Sequence, residues 1–223
     1  MAKKTANIRH AYVSGDPELA PMLLLHGTGG DETDMLELAE FFGADNPKIS
    51  LRGRVNENGL NRFFERYEDG SFNLASLHEE AAWLFKTIMD LAVRYDIEPA
   101  DLIVIGYSNG SNIAAQMMLD NPQVPFKTAA FFHPMLIEAV AQPVALTDAK
   151  IFMSYGEFDP IVTEENFNAL ADNFHKAGAH VSTFMYQTSH GMSQAELQAA
   201  KLWMVANSLV EPVEEDHHHH HHD

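Results

Sequence analysis

Short, continuous apolar runs recur along the chain and are separated by segments with helical spacing of hydrophobic residues. Most of these runs lack alternation of polar and apolar positions, which is typical of central strands covered on both faces. The runs predict strands near residues 8–14, 21–26, 49–51, 102–105, 127–132, 150–155 and 181–186. The intervening helices are predicted over residues 34–42, 76–95, 109–121, 163–177 and 193–209, and Ser76 with Glu79 forms a predicted capping box in the second. This alternation predicts an α/β fold with a mostly parallel central sheet and helices on both faces.

One segment, from Arg52 to Tyr67, shows no regular pattern. Loops of this length without secondary structure are usually functional or disordered, and the aromatic residues argue against disorder. Because the segment leaves the carboxyl end of a predicted strand, we interpret it as a wall of a ligand cleft, with Arg62, Phe63 and Phe64 as contacts. A second interpretation stays open, in which Phe63 and Phe64 cover a sheet edge and the arginines pair with nearby glutamates.

The composition fits one domain with a large core, because 46% of the 223 residues are hydrophobic. We predict that this domain spans residues 1–210. The tail over 211–223 contains six consecutive histidines at 217–222, which we interpret as a purification tag. The formal net charge of −18, without a basic stripe to offset it, argues against nucleic acid and anionic lipid as partners.

The chain contains no cysteine, which excludes a disulfide framework and a thiol nucleophile. No apolar run approaches the roughly 20 residues that a membrane span needs, so stable membrane insertion is not expected. The first seven residues are largely polar and contain no apolar signal core. We therefore predict a cytoplasmic protein, and the sequence leaves a homodimer open.

The sequence Gly106-Tyr107-Ser108-Asn109-Gly110 follows a buried strand and opens a helix. In this G-x-S-x-G pattern the serine occupies a sharp turn from strand to helix, and the glycines avoid collisions with neighbouring backbone. The turn raises the hydroxyl above the sheet edge, where the helix directs its free N–H groups. Ser108 is therefore the candidate nucleophile.

A glycine-rich loop, Gly27-Thr28-Gly29-Gly30, follows the strand at 21–26. It lacks the lysine of a phosphate-binding P-loop and the G-x-G-x-x-G spacing of a dinucleotide site. In this fold type, such a loop supplies half of an oxyanion hole, so the backbone N–H groups of Thr28 and Asn109 are the candidate donors.

A serine hydroxyl needs a base, and histidine is suited to this role at neutral pH. The base in turn needs a carboxylate to orient it. Asp159 and His190 each follow a predicted strand and complete the chain order Ser, Asp, His. Glu157 stays open as an alternative carboxylate, and His133 is interpreted as a packed turn residue, with substrate contact as the less favoured role.

Together, these motifs resemble the α/β-hydrolase superfamily, in particular the small phospholipase/carboxylesterase branch that includes acyl-protein thioesterases. The segment from Arg52 to Phe64 further resembles small bacterial carboxylesterases. Many thioesterases of this branch carry glutamine where this chain has Asn109, which puts the acyl preference in doubt.

The resemblance implies a serine carboxylesterase that acts on small or medium acyl esters through the triad Ser108, Asp159 and His190, with a small-molecule ester as its partner and no cofactor or metal. It also implies the absence of a lid domain, so that Arg62, Phe63, Phe64, Met135, Ile161 and Met192 are the predicted substrate contacts. Two alternatives remain: a thioesterase or lysophospholipase with a long acyl groove, and a catalytically weak ligand-binding homologue.

Overall fold

The computed structural model describes residues 3–4 and 8–212. The predicted tag at 217–222 and most of the polar amino-terminal start lie outside the described residues. Ten strands form two sheets: β1 (Lys3–Lys4), β2 (His10–Val13), β3 (Met22–Leu25), β4 (Lys48–Leu51), β5 (Val55–Glu57), β6 (Leu60–Arg62), β7 (Ile103–Tyr107), β8 (Thr128–Phe132), β9 (Lys150–Gly156) and β10 (His180–Tyr186).

The main sheet has seven strands in the order β10-β9-β8-β7-β3-β4-β2. Neighbouring strands are parallel, except that the edge strand β2 pairs antiparallel with β4. The prediction of a mostly parallel α/β sheet is therefore confirmed. Because parallel strands direct their carboxyl ends to one edge, the loops that follow β3, β7, β9 and β10 meet there.

Five helices cover the two faces of this sheet: α1 (Leu36–Phe42), α2 (Leu74–Arg94), α3 (Asn109–Asp120), α4 (Glu164–Lys176) and α5 (Gln194–Ala206). Alternate strand residues point to opposite faces. On β3, Leu23 and Leu25 join the core beneath α2, α3 and α4, whereas Met22 and Leu24 join the core beneath α1 and α5. Burial on both faces explains why β3 is a continuous apolar run.

The segment predicted as an irregular loop contains a β-hairpin, so that prediction is wrong in part. Strands β5 and β6 pair antiparallel around Asn58 and Gly59, and with β1 they form a small second sheet. Both turn residues have positive φ, 52° and 91°. This geometry matches the two-residue turn that Asn-Gly favours between strands.

The predicted start of α2 at Ser76 is also wrong. The helix begins at Leu74, and the side chain of Asn73 accepts a hydrogen bond from the Ser76 N–H, which makes Asn73 the N-cap. The Ser76 hydroxyl instead accepts from the backbone N–H of Glu65 at 2.8 Å. Ser76 thus ties the end of the Arg52–Tyr67 segment to the helix.

The connections between the last strands are short and consist of α4 with its flanking loops, which leaves no inserted lid domain. Among the described helices, none combines the length and apolar character that crossing a bilayer requires.

Candidate active site

Ser108 lies at the tip of the turn that joins β7 to α3. Its backbone has φ 50° and ψ −113°, a conformation that non-glycine residues rarely adopt. The flanking glycines make the turn possible, because a Cβ at Gly106 would lie 2.7 Å from the Cα of Ser111 and one at Gly110 would lie 2.3 Å from the Leu25 carbonyl oxygen. Helix α3 therefore sits close against β3, and Ser108 projects from the sheet edge.

The side chains of Ser108, His190 and Asp159 form a hydrogen-bonded chain. The Ser108 Oγ lies 2.7 Å from His190 Nε2, and His190 Nδ1 lies 2.7 Å from Asp159 Oδ2. A carboxylate at Nδ1 places the ring proton there and leaves Nε2 free to accept from the serine. The His190 side chain is 20% exposed, whereas that of Asp159 is fully buried. The predicted nucleophile, base and carboxylate thus meet at the predicted edge of the sheet.

Backbone donors hold the Asp159 carboxylate in place. Its Oδ1 accepts from the N–H groups of Ile161 at 2.8 Å and Val162 at 3.0 Å. Burial raises the pKa of Asp159, but its hydrogen bonds outweigh this effect and leave the pKa below the ordinary value. Glu157, the alternative carboxylate, is exposed, and it is Asp159 that contacts His190.

The candidate oxyanion donors, Thr28 and Asn109, line the same cleft as Ser108. Within residues 8–212, neither backbone N–H group has a hydrogen-bond partner, so both are available to a ligand. Asn109 is the first residue of α3, where N–H groups have no partner within the helix and the helix dipole favours negative charge.

The Arg52–Tyr67 segment holds both halves of this candidate oxyanion hole. Asn61 clamps the glycine-rich loop, because its carbonyl oxygen accepts from Gly29 N at 2.9 Å and its side-chain amide donates to Gly30 O at 2.9 Å. Arg62 donates from Nη1 to the Thr28 hydroxyl. The Phe63 N–H donates to Asn109 Oδ1 at 2.7 Å. One short stretch of chain therefore contacts both proposed donor residues.

The arginines of this segment are mostly paired with carboxylates. Arg52 contacts Glu32, Arg54 contacts Glu80, and Arg66 contacts Glu57. The fourth arginine, Arg62, lies 3.5 Å from Glu57, and it also donates to the Phe64 carbonyl oxygen at 3.0 Å. Burial, followed by the nearby charge of Arg66, lowers the pKa of Arg62 to about 10. These pairs fix the segment in place.

A cleft of ≈ 510 Å³ opens above Ser108. Three of the predicted substrate contacts, Arg62, Met135 and Ile161, line it. The other three do not, so their predicted contact with substrate is not supported by their positions: Phe63 and Phe64 are 1% and 0% exposed in the core, and Met192 packs against the core on the α1/α5 side. The positions of Phe63 and Phe64 instead favour the second interpretation of the segment, in which this aromatic pair covers the sheet edge.

Three polar residues that contact His190 or Asp159, or lie one residue further on, were not predicted from the sequence to belong to the site. The Tyr107 hydroxyl donates to the His190 carbonyl oxygen at 2.7 Å, and burial, together with the charges of Asp159 and Glu196, raises the pKa of Tyr107 to about 12. His133 Nδ1 lies 2.8 Å from Asp159 Oδ2, and His133 Nε2 lies 2.7 Å from Glu196 Oε1. A histidine between a buried strand and Pro134 was the signal for His133. Glu196 gave none, because Ser193 three residues earlier explains it as a capping residue.

Within the described residues, His133, Asp159 and His190 offer side-chain atoms within 4.8 Å of one another, the spacing of a metal site. Both histidine Nδ1 atoms are directed at the same oxygen of Asp159. Hydrogen bonding therefore accounts for the cluster without an ion.

Comparisons with known proteins show the family to which the chain belongs. A model of the Dienelactone hydrolase family matches residues 73–214. The putative hydrolase MhqD of Bacillus subtilis (strain 168) is 34% identical over 197 residues, which cover 88% of this chain and 97% of MhqD. Two solved structures are similar throughout: YahD with malic acid (37% identical, TM-score 0.87, 90% of this chain and 99% of YahD) and a Bacillus cereus carboxylesterase (33% identical, TM-score 0.86, 90% and 95%).

The fold, the order of its motifs and these relatives agree on one assignment. The chain belongs to the dienelactone hydrolase family and is a hydrolase of the α/β-hydrolase fold, in the phospholipase/carboxylesterase branch.

Proposed function

We propose that the protein is a serine carboxylesterase that hydrolyses esters of small or medium acyl groups through an acyl-enzyme intermediate. The observation that carries this proposal is the chain of hydrogen bonds from Ser108 to His190 to Asp159, at 2.7 Å each, beside two unpaired backbone N–H groups. A nucleophile, an oriented base and adjacent oxyanion donors are the parts that acyl transfer requires.

In the first half of the reaction, His190 Nε2 takes the hydroxyl proton as Ser108 Oγ attacks the ester carbonyl carbon. The N–H groups of Thr28 and Asn109 stabilise the oxyanion, and Asp159 stabilises the imidazolium. When the C–O bond of the ester breaks, the alcohol leaves with the proton from His190. Water then attacks the acyl-enzyme with the same base, and the acid is released. No step requires a metal or cofactor.

The cleft supports the preference for small or medium acyl groups. Its apolar surface comes from Leu60, Phe72, Met135 and Ile161, and its volume of ≈ 510 Å³ is within the range of small-molecule sites. An adjoining depression shares Leu60 and Arg66 with the cleft, and its other lining residues are mostly polar, among them Glu57, Glu65 and Glu68. Burying an alkyl chain against carboxylates would desolvate them, which argues against a long acyl groove.

Initial rates on p-nitrophenyl esters from acetyl to palmitoyl test the proposal. We expect the rate to be highest for short or medium chains and to fall on the order of a millionfold in Ser108→Ala. Ser182→Ala, an exposed serine on the edge strand β10, is the matched control and should keep wild-type turnover. A Ser108→Ala variant that retains a tenth of the activity would refute the serine mechanism, and a maximum at palmitoyl would favour the thioesterase or lysophospholipase alternative.

A further inference from the structure

His133 lies outside the proposed triad yet contacts it directly. Its ring is fully buried between two carboxylates that are also fully buried, with Nδ1 2.8 Å from Asp159 Oδ2 and Nε2 2.7 Å from Glu196 Oε1. His133 does not line the cleft. Its role is therefore exerted through Asp159 and not on the substrate.

The backbone aims the ring at these carboxylates. β8 ends at Phe132, and His133 has a φ of 52°, a conformation that histidine and asparagine tolerate better than most residues. Its N–H donates to the Ser154 carbonyl oxygen at 2.8 Å, and Pro134 follows. The unusual backbone turns the side chain back towards Asp159.

Glu196 is surrounded by donors. Its Oε2 accepts from the N–H of Ser193 at 2.7 Å and from the Ser193 hydroxyl at 2.8 Å, and its Oε1 accepts from the Ser154 hydroxyl at 2.9 Å. A carboxyl group that accepts three hydrogen bonds is stabilised in its ionised form. Burial raises the pKa of Glu196, but the adjacent His133 ring and the hydrogen bonds from Ser193 hold it below the ordinary value.

Two carboxylate oxygens thus face the two ring nitrogens of His133, and each carboxylate is an acceptor. The Nδ1 contact is a hydrogen bond, whereas the Nε2 contact at 2.7 Å lacks hydrogen-bond alignment and is a close approach of charges. A ring that carries both protons, and therefore a positive charge, is the form that two adjacent carboxylates stabilise. Burial lowers the pKa of His133, but the adjacent carboxylates of Glu196 and Asp159 outweigh that effect and raise the pKa above the ordinary value. The other titratable groups packed against the ring are Tyr107 and His190, with ring centroids at 6.0 Å and 5.3 Å.

We propose that His133 and Glu196 are positioning residues that extend the chain Ser108–His190–Asp159 through the core, with His133 held as an imidazolium between the two carboxylates. The proposal deepens the proposed function and rests on it.

This arrangement gives Glu196 a definite task. Asp159 Oδ2 accepts from two imidazoles at once, so its position is fixed from two sides. If His133 contacted Asp159 alone, its positive imidazolium would cancel the negative charge of the Asp159 carboxylate. With Glu196 present, the three buried groups Asp159, His133 and Glu196 together carry one negative charge, which the imidazolium formed at His190 then balances.

Two nearly isosteric variants test the positioning role. His133→Asn keeps a donor where Nδ1 lies and tolerates the backbone, whereas His133→Asp tolerates the backbone equally but presents an acceptor to Asp159. The readout is the rate at which a phosphonate probe labels Ser108, which needs no knowledge of the natural ester. We expect His133→Asn to label within about tenfold of wild type and His133→Asp to be slower by roughly 10²-fold, as a misplaced general base would be. Equal rates for the two variants would overturn the positioning role.

Proton NMR of protein labelled with ¹⁵N-histidine tests the charge. We expect both ring nitrogens of His133 to carry slowly exchanging protons at neutral pH, with His133→Asn assigning the signals. Glu196→Gln should remove the Nε2 proton, since an amide can donate to a neutral ring, and slow labelling about tenfold. Lys201→Ala removes a contact of the same helix that lies outside this network, the hydrogen bond from the ammonium to the Phe41 carbonyl oxygen at 2.7 Å, and it should lower Tm but keep both protons.

A single ring proton on His133 in wild type, or both protons in Glu196→Gln at an unchanged labelling rate, would refute the bridge. If wild type labels no faster than Ser108→Ala, the proposed function fails instead. The proton count would still decide whether His133 bridges the two carboxylates.

Discussion

Asn109→Ala tests whether the contact between the Asn109 side chain and Phe63, called the clamp below, aligns the candidate oxyanion hole. The variant leaves the Ser108 side chain unchanged. The Asn109 side chain is buried, and its Oδ1 accepts the N–H of Phe63 at 2.7 Å. Phe63 is itself 1% exposed, so water cannot replace the lost acceptor. A buried donor left without a partner costs about 1–3 kcal/mol. For a chain of 223 residues, each kcal/mol lowers Tm by about 2–4 °C, so a fall of about 2–12 °C is expected.

The same variant should also slow turnover, because the first residue of α3 loses its tie to the segment that holds Thr28. Losing one oxyanion donor entirely costs about 10²–10³ in kcat, and a donor that is loosened but present should cost about tenfold. Urea unfolding gives the change in stability, and kcat on p-nitrophenyl acetate gives the change in rate.

Ser76→Ala is the matched control. It removes the acceptor of another hydrogen bond on the same segment, the one from the half-buried Glu65 N–H, without touching either donor residue. Its stability should fall by a similar amount while kcat stays at the wild-type level. If Asn109→Ala and Ser76→Ala lose the same stability and both keep full kcat, the clamp is structural only and the reasoning about alignment is wrong.

Two further predictions concern stability. Gly110→Ala should lower the free energy of unfolding by about 3 kcal/mol, because a Cβ there would lie 2.3 Å from the Leu25 carbonyl oxygen and force α3 away from β3; an unchanged urea midpoint would contradict this close packing. The raised pKa of His133 means that the folded protein binds more protons than the unfolded chain above pH 6.5, so this contribution to stability is complete below 6.5 and is lost as pH rises through the folded pKa. Urea unfolding from pH 6 to pH 9 should show this loss in wild type, and a His133→Asn variant with the same pH dependence would argue against it.

The sequence predicted the elements and the edge of the sheet on which the candidate site lies. Apolar runs without alternation identify central strands, and the chain order of Ser108, Asp159 and His190 follows from the loops after parallel strands. The location of the candidate oxyanion donors was predictable for the same reason, since Thr28 and Asn109 follow the ends of β3 and β7.

What the sequence did not predict depends on contacts between distant residues. The Asn58-Gly59 turn was a local signal for a hairpin, but the polar residues around it masked the two short strands. The burial of Phe63 could not be distinguished from a cleft position, because an aromatic residue suits both. The link from His133 to Glu196 has no sequence pattern at all, since Glu196 already fits a capping box.

The candidate site also determines when in folding the protein can become active. Ser108 and His190 are 82 residues apart in sequence, His190 and Asp159 are 31 apart, and Glu196 reaches the network from the last described helix. Contacts this distant form only after much of the chain has been ordered. During synthesis the nucleophile turn can fold long before its base has left the ribosome, so the onset of esterase activity would report completion of the carboxyl-terminal third of the fold.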